Sequence, residues 1–408
     1  MIGFVRRHPF LVAVPFALVT TAVMLFAGVI AIRLGKVMIV DPDSGPVPFT
    51  VVEGPGRVIA AEYADSLPIS ARLDDVKAVR VRYQSTDATT GLPTVVSGVV
   101  VTGPPPEHGE TRPVVAFAHG TTGIDEPCAP SVQPGMYGLG ALAQALTKAG
   151  FVVALPDYQG LGSPGVHPYL DARTAGMNVI DSVRALRAVF PYARDRWVAY
   201  GGSQGGGAVL AAAMAAPVYG SGLTMLGAAA MVPAADVSGV VQKSQDGTIT
   251  RDQQLMLQWI IEAWSRSDRS VRLDDYRRGA ALTGWDTLSA CTGPKVSGRD
   301  DAADRLHPRD IGPGTPEAAT ALTERLTAYA VPVERTPVPM YVLYGGKDTF
   351  IDAAWTAAFV DRACAAGDSV TVEFQPDRGH GDVDGAALLP WISGRFLDEP
   401  VSSDCPER

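Results

Sequence analysis

RWVAYGGSQGGGAVLAAAMAA, residues 196–216, is the stretch on which the fold turns. It opens on the short apolar run RWVAY, passes one serine set among glycines, and continues into an alanine-rich segment with no proline before Pro217. The first part reads as a buried strand and the last as a helix. Between them, Gly201-Gly202-Ser203-Gln204-Gly205 satisfies G-x-S-x-G, a pattern that carries meaning only where a strand leads in and a helix leads out. Such a turn holds its serine in a strained backbone conformation, and small residues two before and two after let strand and helix close up. Gly206 and Gly207 exceed the pattern; each costs a helix about 1 kcal/mol relative to alanine, so close packing against a neighbouring strand is expected of them. A Gly-rich turn with an incidental serine is the bland alternative, and the shared phase of strand, serine and helix weighs against it.

The same alternation recurs on either side of this stretch. From Arg112, PVVAFAHG, FVVALPD and RWVAYGGS read as strands, and GLGALAQALTKAG, ARTAGMNVIDSVRALRAVF and QGGGAVLAAAMAA as the helices between and after them; LTMLGAAAMV reads as a further strand. Short apolar runs alternating with amphipathic stretches mark parallel βαβ units, hence an α/β sheet with helices on both faces. Upstream, VKAVRVRYQSTDATTGLPTVVSGVVVTG contains two alternating β-branched runs about a turn-rich centre, which predicts a hairpin. From about Ala234 to Arg335 no strand pattern occurs, and QQLMLQWIIEAW reads as part of a helical insertion; after Thr336 the alternation resumes with VPMYVLYGGKD, AAWTAAFVDRACAAG, SVTVEFQPDRGH and GAALLPWISGRFL. The expected organisation is a tail at 1–9, a transmembrane or signal-anchor segment at 10–32, a Pro/Gly-rich linker at 33–57, a core at 58–233 and 336–408, and a helical cap at 234–335.

The run from Phe10 to Ile32 is uncharged. At about 1.5 Å per residue it is long enough for a hydrocarbon core of roughly 30 Å, and it exceeds the apolar region of about 7–15 residues typical of a cleaved signal. The small residues Ala27 to Ala31 leave cleavage open, so the chain is expected outside the cytosol, either anchored or released. Four cysteines, Cys128, Cys291, Cys364 and Cys405, form an even set that suits two disulfides in that compartment, against the alternative of four free thiols. The 408-residue chain is 47% hydrophobic with a net charge of −9, and its basic residues are scattered, which excludes a nucleic-acid partner. The histidines have no metal-ligand spacing, the cysteines form no C-x-x-C, and GGSQGGG lacks a P-loop lysine and the downstream acid of a dinucleotide site. No cofactor and no metal are expected.

A serine hydroxyl needs a base, and the base needs an orienting acid. Of six histidines, His8, His108, His167 and His307 lie before the apolar run or in irregular, proline-adjacent chain, and His119 precedes Ser203 by far. His380 follows the last strand, where the chain order Ser, acid, His places the base of an α/β-hydrolase. Asp348, at the end of the preceding strand, is the expected acid, with Asp352 and Asp382 as competing carboxylates. The oxyanion donors are expected from the amide of Gln204, at the unpaired start of a helix, and from the His119-Gly120-Thr121-Thr122-Gly123 loop, with Thr121 ahead of Thr122. Asp157 reads as a turn-former. In the insertion, Leu255, Met256, Trp259, Ile260 and Trp264 make an apolar stripe at helical spacing, read as core packing ahead of an acyl groove.

Taken in order, HGTTG followed by CAPS, then PDYQGLGSPGVHPY, GGSQGG, YGGKD and RGHGD, resemble the successive blocks of the secretory lipase family of α/β-hydrolases, found in fungi and actinobacteria, over most of Arg112 to Asp382. The resemblance implies Ser203, Asp348 and His380 as a triad, hydrolysis of carboxylic esters, often acylglycerols, and no cofactor. It also implies pairing of Cys128 with Cys291 and of Cys364 with Cys405. The long apolar segment departs from the released members of that family. The expected partner is thus a small-molecule or lipid ester, with the membrane reached through residues 10–32. The other readings are a serine peptidase or amidase of the same fold, and a non-catalytic hydrolase-like envelope protein.

Overall fold

The computed structural model describes residues 45–65, 67–68, 70–71, 74–107 and 109–406. The strands are β1 (Val58–Tyr63), β2 (Lys77–Thr86), β3 (Pro93–Thr102), β4 (Arg112–Ala118), β5 (Val152–Pro156), β6 (Ala193–Gly202), β7 (Thr224–Met231), β8 (Met340–Gly345) and β9 (Val370–Gln375). They form one sheet in the order β1-β2-β3-β5-β4-β6-β7-β8-β9. The expected hairpin is β2 and β3, paired antiparallel from Lys77 opposite Thr102 to Thr86 opposite Pro93. β3 runs antiparallel to β5, and every later pairing is parallel.

Period-two alternation buries both sheet faces. In β4, Val114, Ala116 and Ala118 join one apolar cluster, while Val115 and Phe117 join another; in β5, Val152 and Ala154 divide from Val153 and Leu155 in the same way. The first cluster is completed by α2 (Ala172–Val189), α3 (Gln204–Tyr219) and α9 (Ala353–Ala366). The second is completed by α1 (Leu139–Lys148) and α10 (Leu388–Phe396). This is the α/β-hydrolase fold, with a mostly parallel sheet and helices on both sides.

Between β7 and β8 the chain leaves the sheet and forms α4 (Val240–Asp246), α5 (Arg251–Ser267), α6 (Ala280–Leu288), α7 (Arg299–Asp304) and α8 (Pro316–Tyr329). These helices share a third apolar cluster with Ile124, Tyr169, Leu170 and Ile351 of the core loops. Their starts are set locally. Thr250 and Gln253 make a capping box at α5, and Thr315 caps α8 ahead of Pro316.

Upstream of β1 the chain is more than a tether: Pro46 bridges Glu62, the Thr50 amide donates to the Ala188 carbonyl at 2.8 Å, and Val47 is buried. Its apolar residues supply the reason, since Val47 and Phe49 pack on the first cluster. The apolar run 10–32 and His108 lie outside the described residues. Among the described ones, no helix is long and apolar enough to cross a membrane.

Candidate active site

Ser203 sits between β6 and α3 with φ 55° and ψ −119°, a backbone conformation that side chains larger than glycine rarely take. Surrounding hydrogen bonds hold it there. Its amide donates to the Met231 carbonyl at 2.9 Å, and its carbonyl accepts from the Ala234 and Gly207 amides at 3.0 and 3.1 Å. The glycines answer to close approach: a Cβ on Gly205 would collide with the Ala118 carbonyl, one on Gly206 would lie 2.8 Å from Pro233 Cα, and one on Gly207 2.5 Å from the Ala234 carbonyl oxygen. Gly206 and Gly207 therefore serve packing against the chain that leaves β7, as the excess of glycine in the sequence suggests.

The parallel sheet brings the other two side chains to the same edge. His380 Nε2 lies 2.9 Å from Ser203 Oγ, and His380 Nδ1 lies 2.7 Å from Asp348 Oδ2. The Asp348 side chain is 2% exposed, and its other oxygen accepts the Phe350 and Ile351 amides at 2.8 and 2.9 Å. A carboxylate can only accept, so Nδ1 carries the imidazole proton and Nε2 presents its lone pair to the serine hydroxyl. The competing carboxylates are engaged elsewhere: Asp352 holds Lys243 Nζ at 2.7 Å and Gln253 Nε2 at 2.7 Å, and Asp382 accepts the Gly379 amide.

Gln204 is the first residue of α3, and the 119–123 loop passes beside Ser203, where a Cβ on Gly120 would come within 3.8 Å of the serine Cβ. Thr121 Oγ1 is 2.8 Å from the Tyr169 hydroxyl, while Thr122 Oγ1 is buried without a partner among the described residues. His119 is buried, with its ring nitrogens 2.5 Å from the Gly120 carbonyl and 3.2 Å from the Asp157 carbonyl; burial pulls its pKa down. It shapes the loop. Asp157, expected as a plain turn residue, is a buried carboxylate that accepts the Ser97 hydroxyl at 2.6 Å and the Ser131 amide at 2.9 Å. That correction has a simple cause: β3 and the 130–132 turn close over it, where sequence reading sees only a strand end.

Two residues near the site went unread. His167, set aside as irregular chain, is buried with Nδ1 2.8 Å from the Gln159 carbonyl and Nε2 3.0 Å from the Gln204 side-chain amide; burial lowers its pKa to about 4. Arg299 comes from the insertion, where no motif marks it. Both Ser203 and His380 open onto a cavity of about 320 Å³, whose wall includes Thr121, Tyr169, Leu255, Met256, Trp259, Arg299 and Phe350. All five residues of the α5 stripe belong to the apolar cluster shared with the core loops, and three of them, Leu255, Met256 and Trp259, also line the cavity. Cys128 pairs with Cys291 and Cys364 with Cys405, Cα to Cα 5.8 and 5.2 Å, the connectivity that the family resemblance implies.

Residues 137–272 match the family model described as secretory lipase. No curated protein matches the chain in sequence. Among solved structures, lipase A of Candida antarctica in its closed state is similar at TM-score 0.67 and 16% identity, over 86% of this chain and 84% of that one. A ligand-bound form of the rice cell wall degrading esterase LipA from Xanthomonas oryzae is similar at TM-score 0.64 and 17% identity, over 85% and 97%. At these identities the structures establish the fold, and the family match supports a hydrolase of the lipase/esterase class. That match and the two disulfides suggest an extracytoplasmic setting. The chain thus has the α/β-hydrolase fold, and its residues 137–272 match the secretory lipase family model.

Proposed function

We propose that the protein is a serine carboxylic-ester hydrolase working through an acyl-enzyme. The observation that carries the reading is the continuous hydrogen-bonded line from Ser203 Oγ through the His380 imidazole to the Asp348 carboxylate, opening onto one cavity. Ser203 Oγ attacks the ester carbonyl carbon as its proton passes to His380 Nε2; Asp348 keeps the imidazole in the right tautomer and stabilises its charged form. The amides of Gln204 and Thr121 hold the oxyanion, helped by the positive end of the α3 dipole. Collapse of the tetrahedral intermediate breaks the bond to the alkoxy oxygen, which leaves with the proton from Nε2. Water, deprotonated by the same nitrogen, then releases the acid and restores Ser203.

The cap of residues 234–335 supplies Leu255, Met256 and Trp259 to the cavity, and this apolar wall supports a role as the acyl-binding surface. A volume of about 320 Å³ is small for a long chain. The 23-residue run 10–32 supports membrane anchoring on length alone, and carbonate extraction of cell fractions tests it. Ser203→Ala is expected to abolish turnover of p-nitrophenyl esters, and Asp348→Asn to lower kcat by about 10⁴, both with unchanged circular dichroism. Full activity in S203A would refute the assignment. Faster cleavage of a matched peptide amide than of its ester would turn the reading toward an amidase.

A further inference from the structure

The proposed acyl wall contains a charge. Arg299, the first residue of α7, lines the cavity with Ser203, and its guanidinium lies 4.3 Å from the centroid of the Trp259 ring. Its Nε is buried without a hydrogen-bond partner among the described residues. Its neighbour Asp300 does not serve it: that carboxylate is turned to Arg251, 3.2 Å away, and Arg251 also binds Asp304 at 2.8 Å. None of the described residues lining the cavity is a carboxylate. Burial, the larger cause, draws its pKa down from the ordinary arginine value, against the opposing pull of the Tyr169 phenol and Asp300.

A half-buried guanidinium stacked on one indole face, with an unused donor, is a costly arrangement for an acyl pocket that takes only hydrocarbon. Its planar fork matches a carboxylate, and each charge-assisted bond to it is stronger than a neutral one. Resting on the reading of Ser203 as the attacking group, we propose that the cavity takes acyl groups ending in a carboxylate, that is, half-esters of dicarboxylic acids, with Arg299 pairing the distal carboxylate while Ser203 attacks the ester carbonyl. The reaction remains ester hydrolysis, with water as co-reactant. Arg299 selects the acyl group and takes no proton.

Binding is measured first, because it needs no turnover. The full chain carrying S203A is titrated calorimetrically at neutral pH with monomethyl succinate, glutarate, adipate and suberate, and with the matching dimethyl esters. At least one half-ester is expected to bind about tenfold or more tightly than its dimethyl partner. Adding Arg299→Gln is expected to erase that preference, and Arg299→Lys to keep part of it. Equal binding of half-ester and diester by S203A, or an unchanged preference in R299Q with a native circular dichroism spectrum, overturns the proposal. Kinetics with Ser203 intact then give the same ratio in kcat/KM: a fall of both substrates by one factor in R299Q and R299K means a merely structural stack on Trp259 and also overturns it. Loss of all ester turnover in the wild type would sink the hydrolase reading alone, since the calorimetric preference stands or falls by itself.

Discussion

The His167 imidazole is shut between the Gln159 carbonyl and the Gln204 side chain, one residue from Ser203. Nδ1 donates to the carbonyl, so Nε2 must accept from the amide; a second proton would set N–H against N–H. Burial is the larger cause of its pKa near 4, only partly offset by the Gln159 carbonyl, and His119 adds a small push in the same direction as burial. The unfolded chain takes up this proton near pH 6.5 and the folded one only near 4, so between them the unfolded state binds more protons and stability falls as pH falls. The stability is fully present above 6.5 and lost progressively on the way to 4. His167→Gln is therefore expected to flatten the loss of unfolding free energy across that window by about 3 kcal/mol, read by urea titrations at several pH values. Parallel curves for the variant and the wild type would rule this out. Sequence patterns point to Ser203, Asp348 and His380 because each stands at a strand end in a fixed chain order. They say nothing about His167 or Arg299, whose surroundings come from distant loops and from the cap.

The turn between β6 and α3 is an element whose geometry is written almost wholly in local sequence. Strand phase, the serine and the glycines agree there, and the structure explains Gly201, Gly205, Gly206 and Gly207 by a backbone atom that a methyl group would strike, whereas at Gly202 the nearest atom is the end of the Met231 side chain at 3.3 Å. Gly205→Ala is the sharpest probe, because the obstacle is the Ala118 carbonyl in the middle of the sheet rather than a side chain that can swing away. It is expected to lower stability by about 3 kcal/mol, the upper range for overpacking, while Val218→Ala, at an 89% exposed position of the same helix, changes little. Thermal melts of both variants decide this; equal melting temperatures would mean that the turn has slack. The α5 stripe is less local. Helical spacing puts Leu255, Met256, Trp259, Ile260 and Trp264 on one side, but which of them meet a cavity depends on how the insertion packs on the loops that carry Ile124, Tyr169, Leu170 and Ile351, and periodicity holds no record of that.

For the whole molecule, the alternation of strands and helices foretells a parallel sheet but not the observed strand order, and the covalent tie between cap and core rests on cysteines whose pairing no periodicity specifies. The two bridges hold different things. Cys128 and Cys291 join the loop after β4 to the end of α6 across 163 residues, and a Cβ on Gly123 would lie 2.7 Å from the Cys291 Cβ, so the loop carrying Thr121 is packed against this bridge. Cys364 and Cys405 fasten α9 to the C-terminal segment, 41 residues on and away from the cavity wall. Removing either pair by serine substitution is expected to cost about 2–5 kcal/mol. Activity should separate them. C128S/C291S leaves the Thr121 loop held to the cap only by noncovalent contacts, Ile124 and the Arg266–Asp125 ion pair among them, so kcat for a short ester is expected to fall about tenfold or more at a temperature where the protein is still folded, through displacement of the proposed oxyanion donor. C364S/C405S is expected to melt earlier yet keep kcat within about twofold, because no group at the cavity depends on it. Equal kinetic losses in the two variants would mean that the first bridge does no more for the Thr121 loop than hold the chain together.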